Sequence, residues 1–145
     1  MNTKHFGNIG LGAAINYFLS KGIIISLPIN DSQSYDLVAH LENGLQRIEV
    51  KTSNQLMPSK NYLIDLRTTG GNSSRNTIKN FDKTSCDYVF AHTSGGDSYL
   101  IPSTNINNVT AITLYSKYEK YKIECGPCGG TQTSNPSLIG RMLYR

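Results

Sequence analysis

The sequence has no tryptophan and only three cysteines in 145 residues. Three cysteines make no disulfide framework: Cys86 stands alone, and Cys125 and Cys128 form a single CxxC pair. Such a sparse, odd set fits a reducing compartment rather than a stapled secreted domain. Charged residues are few at 17%, which excludes a solvated helical rod, and the 38% hydrophobic content excludes a disordered chain. Long apolar runs are also missing; the densest, Ile23 to Leu27, is far short of a membrane span. Met1 to His5 has no charged-then-apolar signal pattern. These absences predict a soluble, cytoplasmic protein with no membrane partner. A chain of this length buries one real core, so a single domain over residues 1–145 is expected, with a Gly-, Ser- and Thr-rich tail from about 126. The formal net charge of +4 suits a polyanionic partner without identifying one.

The hydrophobic pattern predicts a helix from about His5 to Lys21, stopped by Gly22. Gly7, Gly10 and Gly12 are poor helix formers and suggest close approach of the helix backbone to a neighbour. A short strand, Ile23 to Leu27, ends at Pro28. Tyr35 to Leu41 and Leu45 to Ser53 both alternate, and Asn43-Gly44 between them reads as a two-residue hairpin turn. That turn sets Ala39 opposite Ile48, Val38 opposite Glu49 and Asp36 opposite Lys51. One face then holds Leu37, Ala39, Leu41, Ile48 and Val50; the other holds Asp36, Val38, His40, Arg47, Glu49 and Lys51.

Further along, Tyr62 to Leu66 reads as a strand, 67–76 as a polar loop, and Thr77 to Thr84 as a short helix or an extension of that loop. Asp87 to His92 and Ser98 to Ile101 form a second hairpin around Ser94-Gly95-Gly96-Asp97. Thr110 to Leu114 and Tyr121 to Cys125 read as edge strands or loop. Tyr115, Tyr118 and Tyr121 read as packing residues or subunit contacts. The order predicts an α/β (α+β) fold, a mixed central β-sheet flanked by helices.

The polar face of the first hairpin carries the chemistry. Glu49 and Lys51, two apart on one strand, point the same way about 6–7 Å apart. Carboxylates, a backbone carbonyl and waters are what Mg²⁺ prefers. A neighbouring lysine can hold a nucleophilic water or stabilise charge on a phosphate. The same residues equally suit a solvated face with cross-strand ion pairs.

A Gly-marked helix, a strand, then Tyr35-Asp36 and Glu49-Val50-Lys51 on two hairpin arms resembles the PD-(D/E)xK nuclease superfamily. The likeness continues through Gly7-x-x-Gly10, Asn61 to Arg67, Cys86 to Phe90 and Tyr99 to Pro102, up to about residue 124. Within the superfamily it is most similar to the small single-domain branch that includes group I intron-encoded homing endonucleases. The resemblance implies a restriction-endonuclease-like fold and Mg²⁺, or another divalent cation, as cofactor. It implies Asp36, Glu49 and the Val50 carbonyl as metal ligands, with Asp36, Glu49 and Lys51 catalytic. It further implies sequence-specific cleavage of double-stranded DNA. A branched-DNA resolvase, a restriction-type nuclease and a catalytically weakened DNA-binding module are the alternatives. Two positions depart from the family pattern: Leu11 stands where a glutamate usually follows the second helix glycine, and Tyr35 replaces the proline before Asp36.

Arg67, Asn72, Arg75, Asn76, Lys79 and Lys83 are the expected DNA-binding set, since Arg and Asn read guanine and adenine edges. Lys117, Lys120, Lys122, Arg141 and Arg145 form a second basic group suited to phosphates or plain surface. Cys125-Gly126-Pro127-Cys128 supplies only two metal ligands, and a turn with two free thiols is expected there. Cutting both strands of a duplex needs two active sites, so a homo-oligomer, dimer or tetramer, is expected.

Overall fold

The computed structural model describes residues 2–69 and 77–125. Its first element is helix α1, Thr3–Ser20, capped by the Asn2 side chain, which accepts the Lys4 N–H at 3.0 Å. Gly22 then takes a left-handed φ of 72° and turns the chain back. The strands follow as β1 Ile25–Ser26, β2 Leu37–Leu41, β3 Gly44–Ser53, β4 Leu63–Asp65, β5 Thr68–Thr69, β6 Ile78–Lys79, β7 Tyr88–Thr93, β8 Ser98–Pro102, β9 Ala111–Thr113 and β10 Lys122–Ile123. Six of them build the central sheet in the order β1-β2-β3-β7-β8-β10. Its pairs are antiparallel except β3 with β7, which run parallel. A parallel pair needs a long crossover. Here the crossover carries β4, β5 and β6, and the sheet is therefore mixed, as expected.

Each face of the sheet has its own core. On one face α1 lays Ala14, Tyr17 and Phe18 against Leu37, Ala39, Leu41, Ile48, Phe90 and Leu100. Phe18 has no exposed surface and meets the Phe90 ring at 6.4 Å; its truncation to Ala costs about 3–5 kcal/mol. Gly10 lets the helix approach β3, because a Cβ there would run into the Thr52 methyl. Gly7 and Gly12 have open space and no such role. The opposite face packs Val89, Ala91, Tyr99 and Ile101 under β4, β9 and the 3-10 turn Ser116–Tyr121. Tyr118 and Tyr121 are buried there, as packing residues should be, while Tyr115 is exposed.

Three expectations change. First, the hairpin turn is Glu42-Asn43, with Leu41 opposite Gly44, Ala39 opposite Gln46 and Leu37 opposite Ile48. A central Asn-Gly pair needs positive φ at both residues; among the described residues only Gly44, at 108°, supplies it in this turn. The register shifts by two, so each side chain keeps its face. Asp36 moves from beside Lys51 to beside Glu49. Second, Thr77 to Thr84 is not helical: Ile78 and Lys79 pair with Thr69 and Thr68 as a short ribbon. Third, the polar face of the first hairpin is only partly wet: the second layer covers Glu49 and most of Lys51, while Asp36 stays exposed. The 126–145 tail lies outside the described residues.

Candidate active site

Strand β3 outruns β2. The last ladder pair is Leu37 with Ile48, and Asp36 continues by donating its N–H to the Ile48 carbonyl at 2.8 Å. Beyond that point the edge of β3 is open to side chains. The Asp36 carboxylate fills it, with Oδ2 accepting the Val50 N–H at 2.6 Å. Backbone groups alternate in direction along a strand. The Arg47 and Ser53 carbonyls accept from Asp87 and Ser94 on the β7 side, whereas Ile48 faces Asp36. Val50 therefore turns both its N–H and its carbonyl toward the Asp36 edge.

Glu49 and Lys51 project from the second-layer face. Lys51 Nζ lies 2.8 Å from Glu49 Oε1, and the two side chains are only 14% and 8% exposed. A buried charge persists only where it is paired and hydrogen-bonded. Lys51 meets that condition fully: it also donates to the Arg67 carbonyl at 3.3 Å and to Thr68 Oγ1 at 3.4 Å. An ammonium has three donors, and all three are used. Under Glu49, Cys86 Sγ sits 3.7 Å from Oε2 and 3.2 Å from Ser103 Oγ. Burial pushes the Cys86 thiol up to about 11, so it is a protonated donor at neutral pH.

Asp36 keeps accessible surface, yet the protein around its carboxyl desolvates it and raises its pKa above the usual carboxylate value. The Val50 amide and the Lys51 charge oppose that rise. The Lys51 charge also reaches Asp65, whose pKa is lowered chiefly by its hydrogen bonds from the Arg67 side chain. The three central residues read from the sequence thus surround one short stretch of β3.

Of the expected DNA contacts, Arg67, Lys79 and Lys83 are among the described residues, and Thr68, next to Arg67, pairs with Lys79. Arg67 is exposed but engaged, with Nε and Nη2 on Asp65 at 3.0 and 2.8 Å. Lys79 on β6 lines a cleft of about 450 Å³ whose floor includes Glu49, Leu66 and Phe81, and whose walls are Asp31 to Ser34 and the β5–β6 ribbon. Lys83 is exposed beyond that lining. Asn72, Arg75 and Asn76 lie outside the described residues. Leu11 is half-buried and packs with the helix-side core. Cys125 is a half-buried free thiol, and Cys128 lies outside the described residues.

Sequence reading gave no role to Thr68, Cys86 or Ser103. Their contacts with Lys51 and Glu49 come from elements distant in the chain, and only Cys86, within one matching stretch, carried any signal. No group of three or more His, Cys, Asp or Glu side chains among the described residues forms a metal cluster. The donors on hand are two carboxylates and one carbonyl. That set fits Mg²⁺, which keeps several waters and uses one or two carboxylates.

No helix among the described residues is long and apolar enough to cross a membrane. A search of curated proteins finds no match. Among solved structures, the chain is similar to a bacterial homing endonuclease, with a TM-score of 0.67 and 29% identity over 79% of each chain. A family model described as PD-(D/E)XK endonuclease matches residues 1–123. The match spans the helix, both hairpins and the acid–lysine arrangement on β3, and the chain belongs to the PD-(D/E)XK endonuclease family.

Proposed function

We propose that the chain is a Mg²⁺-dependent, sequence-specific endonuclease of double-stranded DNA, of homing type. The observation that carries this reading is the convergence on β3: the Asp36 carboxylate on the Val50 amide, beside a buried Glu49–Lys51 pair. Asp36, Glu49 and the Val50 carbonyl would hold the cation. When bound it would supply an acidified water and a Lewis acid for a phosphoryl oxygen.

The chain's own groups do the rest. Asp36 at the strand edge and Glu49 on the adjoining second-layer face supply the two carboxylates. Lys51 releases its two long contacts, to Arg67 and Thr68, in exchange for a phosphate oxygen or the attacking water, and so stabilises the charge that grows in the transition state. Glu49 stays tied to Lys51, which keeps the ammonium aimed. The open cleft along the β5–β6 ribbon brings the duplex backbone to Glu49. Two protomers, each with one site, cut the two strands. Analytical ultracentrifugation with cognate DNA should show an assembly larger than one protomer.

The direct test is a random-library duplex incubated with protein and Mg²⁺, followed by sequencing of the cut ends. A long, degenerate consensus with 5′-phosphate ends supports the homing reading. A short palindrome indicates restriction-type cleavage instead. Leu11 favours a second reading, since a leucine cannot hold a metal water. Tight, metal-independent DNA binding with no cut in Mg²⁺ or Mn²⁺ would establish a DNA-binding module.

A further inference from the structure

A second cleft, of about 290 Å³, opens on the same side of the sheet as Glu49. It is lined by Thr104, Asn105, Asn107, Lys117, Lys120 and Tyr121. Among the described residues the lining holds two cations, two amides and two hydroxyls, and no carboxylate. The 3-10 turn Ser116–Tyr121 explains the paired lysines. Three residues per turn eclipse positions i and i+3, so Lys117 and Lys120 stand one above the other. Their ammonium groups lie 5.4 Å from the Tyr118 ring and 5.1 Å from the Tyr121 ring, on tyrosines buried in the second-layer core. Asn105 Nδ2 donates to the Tyr121 hydroxyl and ties the cleft's floor together.

Lys122, next along the chain, gives the contrast. It pairs with Asp97 at 3.1 Å and Glu119 at 4.0 Å. Lys117 and Lys120 pair with no carboxylate of the described residues. The position of the cleft adds to its chemistry. Ser85 lines the catalytic cleft and Thr104 lines this one. Their chain neighbours, Cys86 and Ser103, touch at 3.2 Å, and Cys86 reaches Glu49. The Cys86–Ser103 contact thus joins segments that line the two clefts.

We propose that the Lys117–Lys120 cleft is a second phosphate site, which holds the sugar–phosphate backbone of the nucleic acid outside the catalytic cleft. The proposal rests on the endonuclease reading. Its work is to anchor and orient a strand; it takes no part in bond breaking. Phosphate contacts of this kind position a duplex without reading its sequence.

The test is fluorescence anisotropy of a labelled duplex in EDTA, over a series of salt concentrations. Wild type, Lys117→Gln/Lys120→Gln, Lys117→Arg/Lys120→Arg and Lys122→Gln are compared, with circular dichroism to confirm folding. Each lysine that meets a phosphate contributes about 0.9 to the slope of log K against log salt. The double Gln variant should lose about 1.8 per protomer, whereas the Arg and Lys122→Gln variants should keep the wild-type slope. An unchanged slope in the folded double Gln variant overturns the proposal. So does a drop of equal size in Lys122→Gln, which would mark general surface charge. If inorganic phosphate shifts the Thr104 and Asn105 amide resonances but the slopes stay equal, the cleft is a free-anion site and the proposal also fails. Wild-type protein that binds no duplex removes the endonuclease reading itself, a different result from equal slopes.

Discussion

Lys51 has no spare donor in the free protein and must exchange a contact to meet substrate, whereas Asp36 accepts the Val50 amide on one carboxylate oxygen and has acceptor capacity left for a ligand. Leu11 sits beside Gly10, the residue that lets α1 approach Val50 and Thr52 on β3. A carboxylate at 11 would stand close to the strand that bears the site. Leu11→Glu should raise the cleavage rate or tighten Mg²⁺ binding, at some loss of thermal stability because Leu11 packs with the helix-side core. No gain in either measure contradicts a vacated ligand position. A second residue-scale prediction concerns pH. The Arg47 side-chain hydrogen bonds, then the Arg47 amide, hold Asp87 below its ordinary pKa of 3.8. A depressed carboxylate contributes stability above its unfolded pKa, and loses it as pH falls through the folded value. With side chains 40% and 32% exposed, solvent screening limits the Arg47–Asp87 pair to about 1 kcal/mol. Asp87→Asn should therefore lower stability at neutral pH and show less loss in acid than wild type. Urea denaturation from pH 6 down to about 2 measures it. Asp36, with its raised pKa, works in the opposite sense.

At the scale of elements, alternation and glycine placement were legible, and register was not. The helix expected from about His5 to Lys21 is found at Thr3–Ser20, and both hairpins and the Gly96 turn follow from the sequence. The first hairpin's register missed by two because an Asn-Gly pair signals two different turns, and the choice rests on the φ of Asn43. Two-residue strands such as β5 and β6 carry no period at all, so the ribbon beside Lys51 was invisible. The helix glycines allow a paired prediction. Gly12→Ala meets open space and should stabilise by about 1 kcal/mol through helix propensity. Gly10→Ala forces a methyl into Thr52, and overpacking costs about 1–3 kcal/mol, which outweighs that gain. Thermal melts showing Gly10→Ala above wild type would overturn the close-approach role.

On the scale of the whole molecule, the site lies between layers. The sequence places Asp36, Glu49 and Lys51 on one face, because period-two alternation needs only local residues. It does not show that the second layer buries Glu49 and most of Lys51 while Asp36 stays exposed, or that Thr68 and Cys86 are what hold Lys51 and Glu49. Those partners are set by the crossover from β3 to β7 and leave no local pattern. The buried pair gives the site its rigidity, and the open cleft gives it access. The most direct measurement uses a supercoiled plasmid bearing a site recovered from library cleavage. Asp36→Asn and Lys51→Ala, each shown to fold, are assayed in Mg²⁺ for cutting and in EDTA for binding. The account predicts cleavage reduced by about 100-fold or more in each variant, with DNA affinity retained. Undiminished cutting by both variants would contradict it.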